Sequence, residues 1–174
     1  MKLKLKEAEV SQSNAIFSDC GKYRYWLYRG WSETGPKAMC FGLNPSTANA
    51  YDDDPTIASL IRIMKNNGFA GFYMMNLFAL ISPNPEDLRT TPDPVKENDF
   101  YISKVHNGLQ RSMQYPTIVF CWGQFPMAEY RSKVIIKQFP KAMCFGRNQN
   151  GTPKHPLYLK ATTKLIPYDK GTEG

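Results

Sequence analysis

Ala38-Met39-Cys40-Phe41-Gly42-Leu43-Asn44-Pro45-Ser46-Thr47 decides how this chain folds. Six apolar or small residues run without alternation, as in a strand covered on both faces. They stop at an Asn-Pro pair, and Pro45 biases Asn44 toward extended backbone. Three further segments have the same form: Phe72–Met75 into Asn76, Thr117–Cys121 into Trp122-Gly123, and Ala142–Phe145 into Gly146-Arg147-Asn148.

Helical patterns separate these strands. Asp54-Pro55 reads as an N-cap followed by the first helical residue. Ile57, Leu60, Ile61 and Met64 then share one helical face, and Gly68 ends the helix. Ile102, Val105 and Leu109 mark a second helix, and Met127, Tyr130 and Val134 a third. The β-α-β-α-β-α-β order predicts a three-layer α/β/α sandwich around a central, mostly parallel four-stranded sheet. Lys22–Arg29, alternately basic and aromatic, reads as a further strand at a sheet edge or in a hairpin. Residues 1–15 are expected to be an arm or an edge strand of the single domain formed by residues 1–174.

The chain has 174 residues, 42% of them hydrophobic, enough for a real core. No apolar run approaches the roughly 20 residues of a membrane span, and the N-terminus has no apolar leader core, so a cytoplasmic protein without membrane contact is expected. Cys20, Cys40, Cys121 and Cys144 form no C-x-x-C pair, which argues against a zinc or iron–sulfur centre. No cofactor and no metal is predicted. The formal charge of +7 favours a polyanionic partner, so DNA or a nucleotide is the expected partner. The oligomeric state stays open.

In an open parallel sheet, ligands bind at the C-terminal strand ends. Those ends carry Asn44, Asn76 and Trp122, and the loop after the fourth strand carries His155. Asn44 is either a turn residue or an amide that holds a water or a base edge. A buried Asn76 needs partners for both ends of its amide, which either a nucleobase or backbone groups supply. Ser46 and Thr47 are either donors to a phosphate or sugar, or loop caps. In Asp52-Asp53-Asp54, one carboxylate caps a helix, while the others either activate water or hold a cation. His155, fixed by Pro156, suits charge stabilisation or acid–base work. No glycine-rich phosphate loop is present.

Phe41–Ala48, Asp53-Asp54-Pro55-Thr56-Ile57, Asn76-Leu77-Phe78, His155–Leu159 and Arg24-Tyr25-Trp26-Leu27 resemble an uncharacterised bacterial and phage domain family. More distantly, the chain resembles the uracil-DNA glycosylase superfamily. Gly42-Leu43-Asn44-Pro45 is similar to the Gly-x-Asn-Pro-Gly motif of its mismatch-specific branch, with Ser46 where that branch has Gly. His155-Pro156 is similar to the start of the late His-Pro-Ser motif, with Leu157-Tyr158 in place of its small polar residues. The resemblance implies the superfamily's parallel α/β sandwich and cleavage of an N-glycosidic bond to a uracil-like or modified base in DNA. Under it, Asn44 holds the attacking water, Asp53 assists, and His155 stabilises the departing base. Asn76 pairs with the base edge, Tyr51 or Trp122 stacks on the ring, and Arg147, Lys154 and Lys160 meet phosphates. Two other readings stand beside it: a non-catalytic nucleic-acid or nucleotide-binding module, and an enzyme of free nucleosides or nucleotides.

Overall fold

The computed structural model describes residues 3–4 and 11–169. Strands β1 (Leu3–Lys4), β2 (Gln12–Phe17), β3 (Arg24–Gly30), β4 (Lys37–Gly42) and β5 (Asp52–Asp53) precede helix α1 (Pro55–Asn66). Strand β6 (Gly71–Asn76), helix α2 (Val95–Ser112), strand β7 (Thr117–Phe120), helix α3 (Glu129–Gln138) and strands β8 (Met143–Cys144) and β9 (Ile166–Pro167) follow.

The main sheet has the order β2-β3-β6-β4-β7-β8-β9. Its centre, β6-β4-β7-β8, is parallel and contains the four strands expected from the sequence. The expected four-stranded sheet is nonetheless too small. Strands β2 and β3 extend it antiparallel on one side, and β9 does so on the other. The result, among the described residues, is a mixed α/β fold with a seven-stranded main sheet, a separate two-stranded pairing of β1 with β5, and three α-helices. The aromatic-basic segment became β3, an interior strand whose far neighbour, β2, is the edge. Of the expected arm, residues 1, 2 and 5–10 lie outside the described residues. Residues 3–4 pair with Asp52–Asp53.

Connection geometry accounts for where the helices lie. The chain leaves β4 for β6 on one side, then crosses back over β4 to β7 and continues to β8. With one handedness for every crossover, reversing direction puts α1 on one face and α2 and α3 on the other. The two apolar clusters agree. Ile57, Leu60, Ile61 and Met64 of α1 pack with Ala38, Cys40, Phe72, Met74 and Val119. Ile102 and Leu109 of α2 and Ile135 of α3 pack with Met39, Phe41, Met75, Ile118 and Phe120. Buried Cys40, Cys121 and Cys144 are packing residues, and burial pushes the Cys121 thiol up to about 12.

Helix α1 begins as its sequence requires: the Asp54 carboxylate accepts the Ile57 N–H at 2.9 Å, and Pro55 opens the helix. Helix α3 exists, but with a different inner face. Tyr130 and Val134 are exposed, while Arg131 and Ile135 are buried. Arg131 is accepted inside because its donors are used: Nε donates to the Leu77 carbonyl at 3.0 Å, and the guanidinium pairs with Asp99. Among the described residues no helix is long and apolar enough to cross a membrane.

Candidate ligand cavity at the strand ends

Period-two alternation carries one row of side chains on β4 and β6 toward α1. On β4 the row is Ala38, Cys40, Gly42. On β6 it is Phe72, Met74, Asn76, and the register pairs them in that order. Gly42 therefore lies beside Asn76 at the C-terminal end of the sheet. A Cβ on residue 42 would come 2.7 Å from Asn76 Oδ1 and 2.5 Å from Met74 Cε. The bare glycine leaves room for the amide.

The space beyond is a cavity of about 210 Å³, whose lining includes Arg24, Gly42, Asn44, Ser46, Asp54, Asn76, Ser82, Phe125 and His155. The ends of β4 and β6, the loops after β7 and β8 and the start of α1 all contribute. This is the position expected for a ligand in a sheet whose connections reverse at β4. The volume lies below the usual range of pockets for drug-sized ligands, so the space admits only a small molecule.

Asn76 is 1% exposed, and neither its Nδ2 nor its Oδ1 has a hydrogen-bond partner. Among the described residues it is the one buried side-chain amide with both its donor and its acceptor in that condition. Buried polar groups are normally bonded, and leaving one unbonded costs about 1–3 kcal/mol. Asn76 is thus set up for an occupant that offers both an acceptor and a donor.

Asn44 is partly committed elsewhere. Its Nδ2 donates to the carbonyls of Pro45, Leu80 and Ser82, each at 3.0 Å. Carbonyls only accept, so the amide orientation is fixed and Oδ1 is left as an acceptor. Asn44 both ties the β4 loop to the Leu80–Ser82 segment and offers one acceptor oxygen.

His155 is held by its neighbours. Its Nδ1 accepts the Leu157 N–H at 3.2 Å, so the neutral ring carries its proton on Nε2. Burial lowers its pKa, with the Asp54 charge acting the other way. The ring is therefore neutral near pH 7, with Nε2–H as the donor it can offer. The Ser59 hydroxyl donates to the Pro156 carbonyl at 2.9 Å, tying this loop to α1. Gly123, at φ +80°, permits the approach: a Cβ there would lie 3.1 Å from Phe125 and 3.2 Å from the His155 Cβ.

The acidic triplet divides three ways. Asp52 accepts from the Asn49 side chain at 3.1 Å. Asp53 pairs with buried Arg29 at 2.9 Å and does not line the cavity. Burial outweighs that pairing and raises the Asp53 pKa. The carboxylate in the cavity wall is Asp54. Alternation over residues 52–54 turns each side chain away from its neighbour, so a one-residue difference moves the role.

The expected stacking residues also lie elsewhere. Tyr51 is 79% exposed and outside the lining. Trp122 is 1% exposed, packed on Phe120 with ring centroids 4.7 Å apart and on Tyr168 at 6.3 Å. It borders a separate cavity of about 540 Å³. Phe125, three residues on, is the aromatic ring at this site. Of the residues expected to meet phosphate, Ser46 lines the cavity. Lys154 lines an adjoining groove of about 460 Å³ that shares Phe125 and His155 with it. Thr47, Arg147 and Lys160 are exposed and line neither, and Arg147 donates to the Asp169 carbonyl.

Arg24 was not among the expected site residues. Its strand runs antiparallel to β6, so the start of β3 lies at the same edge as the ends of the parallel strands. Inspection of C-terminal strand ends alone misses it.

These features describe an α/β protein with a small cavity, lined in part by polar side chains, at the C-terminal edge of its parallel strands. The family model "Protein of unknown function (DUF1643)" matches residues 24–157, and the chain belongs to that family. The matched span runs from Arg24 to two residues past His155 and so contains the whole lining of the cavity. No curated protein and no solved structure matches the chain.

Proposed function

We propose that this cavity binds a uracil-like or modified base of DNA and that the protein cleaves its N-glycosidic bond. The reading is carried by Asn76: a buried amide with an unused donor beside an unused acceptor is complementary to the imide edge of such a base. In the proposed reaction Asn44 Oδ1 accepts a hydrogen bond from the attacking water. The water oxygen bonds to the sugar carbon, the carbon–nitrogen bond breaks, and its electron pair leaves with the base. His155 donates from neutral Nε2 to the charge that develops there. Asp54 takes the water-assisting role expected of Asp53 and accepts the proton the water loses as its oxygen bonds to the sugar carbon, and Phe125 takes the stacking role expected of Tyr51 or Trp122. Lys154 on the adjoining groove meets a flanking phosphate. Helices on both faces of the parallel centre, and a cavity at its C-terminal edge, support a three-layer sandwich of the uracil-DNA glycosylase type.

The three hydrogen bonds from Asn44 Nδ2 favour a second reading, in which Asn44 acts as a loop staple and the cavity binds a base without hydrolysis. The test is incubation with single- and double-stranded DNA carrying uracil or modified pyrimidines, followed by alkali cleavage, with free nucleosides in parallel. Glycosylase action gives abasic sites, with yield reduced about 10²- to 10³-fold in His155→Ala. Salt-sensitive binding without abasic product supports the binding module. Turnover of free nucleosides alone supports a nucleoside enzyme.

Stacking provides a separate check. Phe125→Ala is expected to weaken base binding about 10- to 100-fold, the equivalent of about 1–3 kcal/mol per stacked base. Tyr51→Ala, at an exposed residue outside the cavity lining, is expected to leave it unchanged. Fluorescence titration of a base-containing oligonucleotide measures both, and a larger loss in the Tyr51 variant would reverse the assignment.

A further inference from the structure

Among the described residues three arginines are buried, and they are not alike. Each nitrogen of Arg29 is used: its Nε pairs with Asp53 at 2.9 Å, and its other two nitrogens donate to the carbonyls of Tyr28, Asn49 and Asp52. Arg131 is held by Leu77 and Asp99. Arg24, 2% exposed, makes one side-chain hydrogen bond among the described residues, from NH1 to the Ala48 carbonyl at 2.7 Å. Its Nε–H has no partner, and it forms no ion pair among the described residues. Burial lowers its pKa to about 10, so it stays a cation at neutral pH.

A buried guanidinium is normally matched by an anion and by acceptors for its fork of donors. The Asp54 charge offsets part of this one from across the cavity. However, one oxygen of that carboxylate already accepts the Ile57 N–H. Arg24 and Asn76 line the same cavity. An occupant that satisfies both carries a planar anionic group for the guanidinium and a donor–acceptor edge for the amide. Asp54 in the wall opposes a doubly charged phosphate more than a singly charged carboxylate, and a guanidinium matches the flat carboxylate with two parallel hydrogen bonds. We propose that the base this cavity takes is one bearing a carboxylate substituent, with the carboxylate on Arg24 and the imide edge on Asn76.

This proposal rests on the base-binding reading above, and the experiment separates the two. Isothermal titration calorimetry on the full chain would compare uracil, uracil carboxylated at C5 or at C6, and the matching uncharged carbamoyl compounds, with formate and inorganic phosphate as simple anions. At least one carboxylated base is expected to bind ten or more times tighter than its carbamoyl counterpart. Arg24→Lys retains part of that preference and Arg24→Gln levels it, with thermal unfolding reporting whether each variant is folded. The wild-type comparison between carboxylate and carbamoyl bases stands even if no Arg24 variant folds. Bases that bind without any carboxylate preference, or a preference that survives in folded Arg24→Gln, would overturn this proposal and leave base binding intact. Arg24-dependent binding of the simple anions with no binding of any base would overturn both the base reading and the carboxylated-base assignment. If none of the probes binds, both fail.

Discussion

Asn76→Leu is expected to weaken base binding about a hundredfold while the protein keeps its stability or gains up to about 1–3 kcal/mol. The two effects share one cause. The Asn76 side chain makes no hydrogen bond to the protein, so an apolar side chain of similar size removes no native hydrogen bond. It removes instead the desolvation cost of burying an amide without protein partners. Two lost hydrogen bonds to a ligand, each contributing about 1.4 kcal/mol, together give roughly two orders of magnitude in affinity. An asparagine with a structural role behaves in the opposite way and loses about 1–3 kcal/mol. Urea unfolding and base titration on the same preparation decide between them: a clear fall in stability assigns Asn76 to the fold rather than to a ligand.

Arg29→Met is expected to cost about 3–5 kcal/mol at pH 7, because it strands the Asp53 carboxylate in the interior. The Asn49 and Asp52 carbonyls lose a donor at the same time. The deficit is expected to shrink as the pH falls toward the ordinary carboxyl range. In the native protein, burial already raises the Asp53 pKa, against the opposing charge and hydrogen bond of Arg29. Without Arg29 only the raising influences dominate. When the folded pKa exceeds the unfolded one, the folded state binds more protons between the two values, so stability is lost as pH rises through that window. The variant's deficit is therefore small below the unfolded Asp pKa of about 4 and full above the folded one. Unfolding free energies at pH 4, 5.5 and 7 check this. A deficit that grows on acidification would contradict it.

The parallel centre of the sheet was legible because its strands are continuous apolar runs, the pattern that burial on both faces imposes. Helix α1 was equally legible, since cap, proline and apolar face coincide at Asp54, Pro55 and Ile57–Met64. Strand β9, two residues long and containing Pro167, has too little periodicity to read. The inner face of α3 was misread because Arg131 occupies an inward position that only its tertiary partners make tolerable.

The candidate site divides along similar lines. Asn44, Asn76 and His155 follow strands read correctly, and all three reach the cavity. Trp122 stays in the core because, two residues past the end of β7, it continues the inward row of Ile118 and Phe120 and packs with Phe120 and Tyr168. Asp53 gives way to Asp54 because a one-residue step reverses which side a carboxylate faces. Arg24 depends on an antiparallel pairing that no local pattern announces. Gly42 matters only through its register partner across the sheet.

The most direct measurement follows the side-chain amide signals of Asn76 in ¹⁵N-labelled protein, assigned with the Asn76→Leu variant, during titration with uracil and carboxylated uracils. If the cavity at the strand ends is a base site, the Asn76 NH₂ pair shifts saturably, together with the Arg24 Nε–H and His155 ring signals. Saturable binding that leaves those signals in place while others move, or no binding up to the solubility limit of the bases, would contradict it.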